Sequence, residues 1–170
     1  MIKPIKKLRF LNREKAQTMV EFALVFPIVL LITYGLIEFG RMVFIYSAVT
    51  GAAREGARYG AAAGSDVSYP PPANNPHQYA TCSGIRDAVR STAFLIDNPT
   101  IGIRYDKGPG LAQIAATCEA LVPDDIGLGD RIIVTITTHY TPWIAFLGLH
   151  GFDITSTNAR TILVNIPIEP

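Results

Sequence analysis

The apolar positions of this chain fall into two regimes. Residues 22–37 pass without a charge between Glu21 and Glu38. At 1.5 Å per residue that run makes ~24 Å of helix, short of a full bilayer span. The pattern does not end there, because Arg41 can snorkel outward and residues 42–53 continue almost without polarity. One long helix over 17–63 is predicted, with a membrane part at about 20–42. Pro27 near the start of the run bends such a helix without ending it, as membrane helices tolerate.

From 47 to 63 there is no proline, and Ala48, Ala52, Gly56, Gly60 and Gly64 recur every four residues, with Arg54, Glu55 and Arg58 on other faces. A stripe of small residues lets a second backbone come close. Two readings stand: packing against partner helices in an assembly, or packing against the chain's own C-terminal domain.

Beyond the helix the period changes. Residues 64–79, with Pro70, Pro71, Pro72 and Pro76, read as an extended loop. Ile85, Ala88, Val89, Thr92 and Ile96 then repeat at helical spacing, and Asn98–Pro99 is the predicted end of that amphipathic helix. Ile101, Ile103 and Tyr105 alternate as in a strand. Residues 107–130 read mostly as loop, with a helical turn near 111–121. In the clearest strand, Ile132, Val134, Ile136 and Tyr140 face one side and Thr135, Thr137 and His139 the other, which fits an antiparallel sheet with one buried face. A last strand at about 153–166 comes after an apolar connection holding Trp143, Ile144, Phe146, Leu147, Leu149 and Phe152. That connection is too short to cross a bilayer, and is either folded over the sheet edge or an exposed contact patch. The fold class is α+β, with one small domain at 64–170 after the helix.

Charge gives the chain a direction. Residues 1–16 carry Lys3, Lys6, Lys7, Arg9, Arg13 and Lys15 against Glu14, or +5, whereas the remainder carries 9 basic and 13 acidic residues, or −4. A basic head before an apolar run stays in the cytoplasm and sends the rest of the chain to the far side of the membrane. If the domain lies there, Cys82 and Cys118 are expected to form a disulfide; the other reading is two buried thiols.

Catalytic readings find little footing. His77, His139 and His150 have no metal-ligand spacing with each other or with the cysteines. Cys118 with His139 carries no nucleophile signature. Asp124, Asp125 and Asp130 around Gly127 and Gly129 lack the alternation of a calcium loop and read as a solvated turn, with a casual calcium site as the sharper reading. The mildly acidic body gives nucleic acid no electrostatic purchase. No enzymatic activity, metal or cofactor is expected, and a tethered enzyme would need a convergent polar pocket in the C-terminal domain.

A secretory signal is cut after its apolar core, but here the distinctive junction precedes it: Ala16-Gln17-Thr18-Met19-Val20-Glu21-Phe22. The stretch AQTMVEFALVFPIVLLITYGLIEFGRMVF, continued by TGAAREGARYGAA, resembles the TadE-like family of tight-adherence (type IVc) pilus systems, pseudopilins or minor pilins. The resemblance is specific over 13–63 and weaker in GDRIIVTITTHYTPW and ITSTNARTILV. It implies a basic leader at 1–16, cleavage by a prepilin peptidase between Ala16 and Gln17, and Glu21 as the fifth mature residue beside Phe22. Ala16 stands where the family more often has Gly. It further implies a pilin-like plan for the domain, other pilins and the type IVc assembly machinery as partners alongside membrane lipid, and a part in adherence and biofilm formation. Cleavage would leave an α-amino group at the membrane edge, costly unless paired, with Glu21 one helical turn away; the plainer reading of Glu21 is a carboxylate favoured at a helix N-terminus. Glu38 and Arg41, three apart, read as an ion pair on one face or as contacts to a partner's charges. An unprocessed single-span anchor bearing an extracytoplasmic binding domain is the alternative function.

Overall fold

The computed structural model describes residues 13–62, 77–94, 96–143 and 150–162. Four expectations therefore lie wholly or partly outside the described residues: the basic stretch 1–12, the proline-rich loop as far as 76, the apolar residues 144–149, and the last strand beyond 162. The chain is α+β. Helix α1 (Arg13–Ala61) is succeeded by α2 (Cys82–Thr92) and by strands β1 (Thr100–Asp106), β2 (Gln113–Ala115), β3 (Arg131–Tyr140) and β4 (Phe152–Thr161). The strands form one antiparallel sheet in the order β2-β1-β3-β4. The chain divides into two compact units, Met1–Arg41 and Met42–Pro170.

In the first unit α1 runs through Pro27 unbroken. Its residues are exposed from Gln17 to Phe39, apart from partial cover at Tyr34 and Glu38. No core is built there among the described residues.

The second unit builds its core on the remainder of α1. Val49, Ala52, Ala53, Gly56, Ala57, Gly60 and Ala61 are buried, a stripe in which steps of three and one alternate, as an amphipathic helix requires. The smallest members set how near the backbone comes. A Cβ on Gly56 would run into Val89 Cγ2 and press Val134 Cγ1 at 3.2 Å, and one on Gly60 would run into Ile132 Cδ1 and press Ile85 Cδ1 at 3.3 Å. The glycines thus serve contact with α2 and β3 of their own domain.

Strand β3 alternates as its sequence predicts. Ile132, Val134, Ile136, Thr138 and Tyr140 are buried, while Thr135, Thr137 and His139 are partly or fully exposed. On the exposed face the register pairs hydroxyls, Thr135 with Thr157 and Thr137 with Thr155, each at 3.0 Å, and then His139 Nδ1 with Asp153 Oδ1 at 2.7 Å. Ile133 is the exception, buried on that face beside its partner Ala159 and next to Arg104 of β1.

Two local expectations need correction. Helix α2 ends at Thr92, well short of Asn98–Pro99, and the buried Ile96 lies beyond its end. Ser91 and Thr92 both turn their hydroxyls onto the Ala88 carbonyl, at 2.8 and 3.3 Å, the side-chain competition that weakens a helix. Residues 111–121 do hold a helical turn, a 3-10 turn at Cys118–Ala120, but 113–115 are not loop: they form β2, a strand of three residues whose pairing with β1 is interrupted by a bulge. So short a strand offers no alternation to read.

Three ties hold α2 and its approach to the strands and turn beside them. Cys82 and Cys118 form a disulfide across a separation of 36 residues, a loop whose closure stabilises by about 3–4 kcal/mol in the chain-entropy account. Arg86 pairs with Glu119. The fully buried Tyr105 donates its hydroxyl to the Tyr79 carbonyl and touches Cys118 Sγ at 3.3 Å; burial pushes its ionisation far up, so it stays a donor. Across the sheet, Arg131 grips Asp106 with two bonds of 2.8 Å.

This packing can be tested at two places. Gly56→Ala is expected to destabilise the domain by about 1–2 kcal/mol in chemical denaturation, because Val89 and Val134 are stiff at χ1. Gly60→Ala costs less, because the Ile132 Cδ1 atom in its way can rotate aside and alanine favours the helix. At the second place, hydrogen bonding from Arg131 holds the Asp106 carboxyl below its ordinary value. Its stabilisation is then complete above the unfolded value of ~4 and is lost as pH falls through the lower folded value. Asp106→Asn is expected to lower stability at pH 7 by about 1–2 kcal/mol and to flatten the acid decline of a pH-resolved denaturation series.

Candidate functional site

The residues singled out in the sequence lie along α1. Ala16 is in its first turn. Gln17 donates its side-chain amide to Glu21 Oε1 at 3.1 Å, one turn on. The Glu21 carboxylate therefore faces back toward residue 17. Phe22 stands exposed and stacks on Phe26, with centroids 5.2 Å apart.

From Met19 to Phe39 the helix shows bulky apolar side chains around its circumference: Phe22, Leu24, Val25, Ile28, Leu31 and Ile32 are among the exposed ones. The helix over Gln17–Ala61 is long and apolar enough to cross a membrane. The interval from Glu21 to Arg41 is 41 − 21 = 20 residues, or ~30 Å of helix, the thickness of a bilayer's hydrocarbon layer. At its far end Arg41 bonds Glu38 Oε1 at 2.7 Å, and the Tyr34 hydroxyl donates to Glu38 Oε2 at 3.2 Å. The ion pair was expected from its spacing and Tyr34 was not; the available signal was its distance of four from Glu38, which places both on one face.

Further along, Ala48 is half-buried and Ala52, Gly56 and Gly60 are buried within the second unit. Arg54 and Arg58 remain exposed, and Arg58 is held by Glu55 at 2.6 and 2.9 Å.

The residues weighed for chemistry are occupied by local structure. Cys118 is in the disulfide and has no thiol to offer His139, which pairs with Asp153 instead. His77 stacks on Tyr79 with centroids 4.9 Å apart. Asp130 is buried and accepts the Gly127 backbone N–H at 2.7 Å, closing the turn at Gly129, whose φ of +95° suits glycine. Asp124 and Asp125 are exposed in a 3-10 turn. Among the described residues, no group of three or more His, Cys, Asp and Glu side chains is placed to hold a metal ion.

No curated protein and no solved structure matches the chain. The family model described as TadE-like protein matches residues 16–58. That interval starts at Ala16, takes in Glu21 and Phe22, passes through the whole apolar run and ends within the buried stripe. Residues 16–58 of this chain are thus similar to the TadE-like protein family, and the similarity covers the apolar run and the start of the buried stripe.

Proposed function

We propose that the chain is a structural, non-catalytic pseudopilin or minor pilin of a type IVc pilus, processed by a prepilin peptidase between Ala16 and Gln17. Inserted with its +5 head in the cytoplasm, it places the domain beyond residue 63 outside. The observation that carries this reading is the family match beginning at Ala16, on a helix whose apolar surface is bare from Met19 to Phe39.

The chemistry at the junction supports it. Cleavage after Ala16 removes all six N-terminal basic residues, which have then finished their topological task. It leaves an ammonium on Gln17 at the edge of the hydrocarbon layer, where an unpaired charge costs on the order of 3 kcal/mol. The Glu21 carboxylate already points at residue 17 in the uncut helix. It can neutralise the amine of its own chain or of a neighbour, which gives subunits an electrostatic reason to assemble in register. Its partners are then other pilins, the type IVc assembly machinery and lipid. The disulfide between Cys82 and Cys118 agrees with an oxidising compartment for the domain.

Intact-mass measurement of the protein purified from membranes of its native host tests the reading. The expected mass lacks residues 1–16; a full-length mass in a host with active prepilin peptidase leaves the unprocessed anchor instead. Glu21→Ala is expected to insert normally, by membrane fractionation, and to abolish or strongly reduce piliation scored by electron microscopy. Normal pili from that variant would remove Glu21 from the assembly mechanism.

A further inference from the structure

We infer that the β3–β4 end of the domain rests on the lipid surface through Trp143 and Phe152, giving the domain a second membrane contact beside its helix. The inference builds on the membrane-anchored reading above.

The direction of α1 on the sheet places this end. Gly60 lies against Ile132, and Gly56 against Val134, so the helix descends in number as β3 ascends. From Ile132 to Tyr140 the strand advances eight residues, ~26 Å. From Gly60 back to Met42 the helix covers eighteen residues, ~27 Å. Tyr140 and the start of β4 therefore lie at the end of the domain where Met42 and Ile45 pack against its core. Met42 comes directly after Arg41, at the end of the ~30 Å interval that starts at Glu21. The chain thus enters the domain at the end that carries Trp143 and Phe152.

The chemistry at that end suits a bilayer interface. Trp143 is 68% exposed and Phe152 is 47% exposed, while Phe152 packs on Tyr140 with centroids 5.3 Å apart, which holds its ring at the sheet end. On the helix at the same end Phe44 and Tyr46 are exposed as well. Aromatic side chains, tryptophan and tyrosine above all, collect at the headgroup level of membranes. From 141 to 152 the sequence has no Asp, Glu, Lys or Arg, and the neighbouring Asp153 is paired with His139 at 2.7 Å, so the charge nearest Phe152 meets the interface already partnered. The opposite end differs. There Leu111 of the β1–β2 turn and Leu128 before β3 are exposed singly, with no exposed aromatic ring beside them among the described residues.

Trp143 is the only tryptophan in the chain, so the native protein carries its own reporter. The full chain is reconstituted in phosphatidylcholine vesicles with and without brominated acyl chains. Its emission is read together with quenching by aqueous iodide, and flotation after alkaline extraction reports integration. Expected is a floating protein whose Trp143 emission drops roughly twofold or more in brominated lipid and resists iodide. The pair Trp143→Phe with Phe152→Trp, which moves the reporter across the turn, is expected to behave alike. A floating protein whose emission ignores bromine overturns the lipid contact and leaves the anchor standing. That holds whether iodide reaches the ring or a second copy of the chain shields it. A chain that does not float overturns both.

Discussion

Helix α1 presents two different surfaces, and its composition changes where its surroundings change from open to packed. As far as Phe39 its side chains are large, apolar and turned outward on every side, which is the surface that hydrocarbon accepts and water does not. From Val49 onward the buried positions are Val, Ala and Gly, on one face only. Lipid fills gaps by itself and rewards bulk. A sheet does not move to meet a helix, so close contact there demands small side chains. The Tyr34–Glu38–Arg41 cluster stands between these stretches, with charges that neither environment would take unpaired.

Much of this was legible because long elements repeat their period often. The apolar run of α1, the helical spacing from Ile85 and the alternation in β3 each supply several matches to one template. What escaped was short or locally decided. Strand β2 has three residues and a bulge in its pairing. The early end of α2 comes where Ser91 and Thr92 both bind the Ala88 carbonyl, side chains that weaken a helix while leaving its apolar spacing intact. The stripe Ala48, Ala52, Gly56, Gly60 left two partners open in the sequence. In the fold Val89, Val134, Ile85 and Ile132 occupy the space before its glycines, and the true stripe is wider, taking in Val49, Ala53 and Ala57. At the junction near Glu21 the spacing to Gln17 was readable, whereas the direction of the carboxylate needed the helix.

The domain itself is held by unlike interactions in different places. Its interior is mainly aliphatic, and among the described residues Tyr105 is the largest fully buried side chain and the hydrogen bond its hydroxyl needs is made to Tyr79. Its loop-rich side, where regular pairing is short, carries the disulfide and the Arg86–Glu119 pair. Hydrogen bonding from Arg86 holds the Glu119 carboxyl below its ordinary value, but so exposed a pair adds little to stability. The covalent link carries that side of the molecule. Where the sheet is wide, cross-strand pairs such as Asp106 with Arg131 suffice.

The burial of Val49, Ala52, Ala53, Gly56 and Ala57 in the domain's core also decides where the molecule can be divided. A soluble fragment beginning after Ala61 would lack one wall of its own interior and expose Ile85, Val89, Ile132 and Val134 to water. Severed near Arg41, the protein would keep that wall and shed the exposed apolar portion. The candidate span and the folded body therefore share one continuous helix, and a cut that frees the body intact has to fall inside that helix, near Arg41, and not at its end.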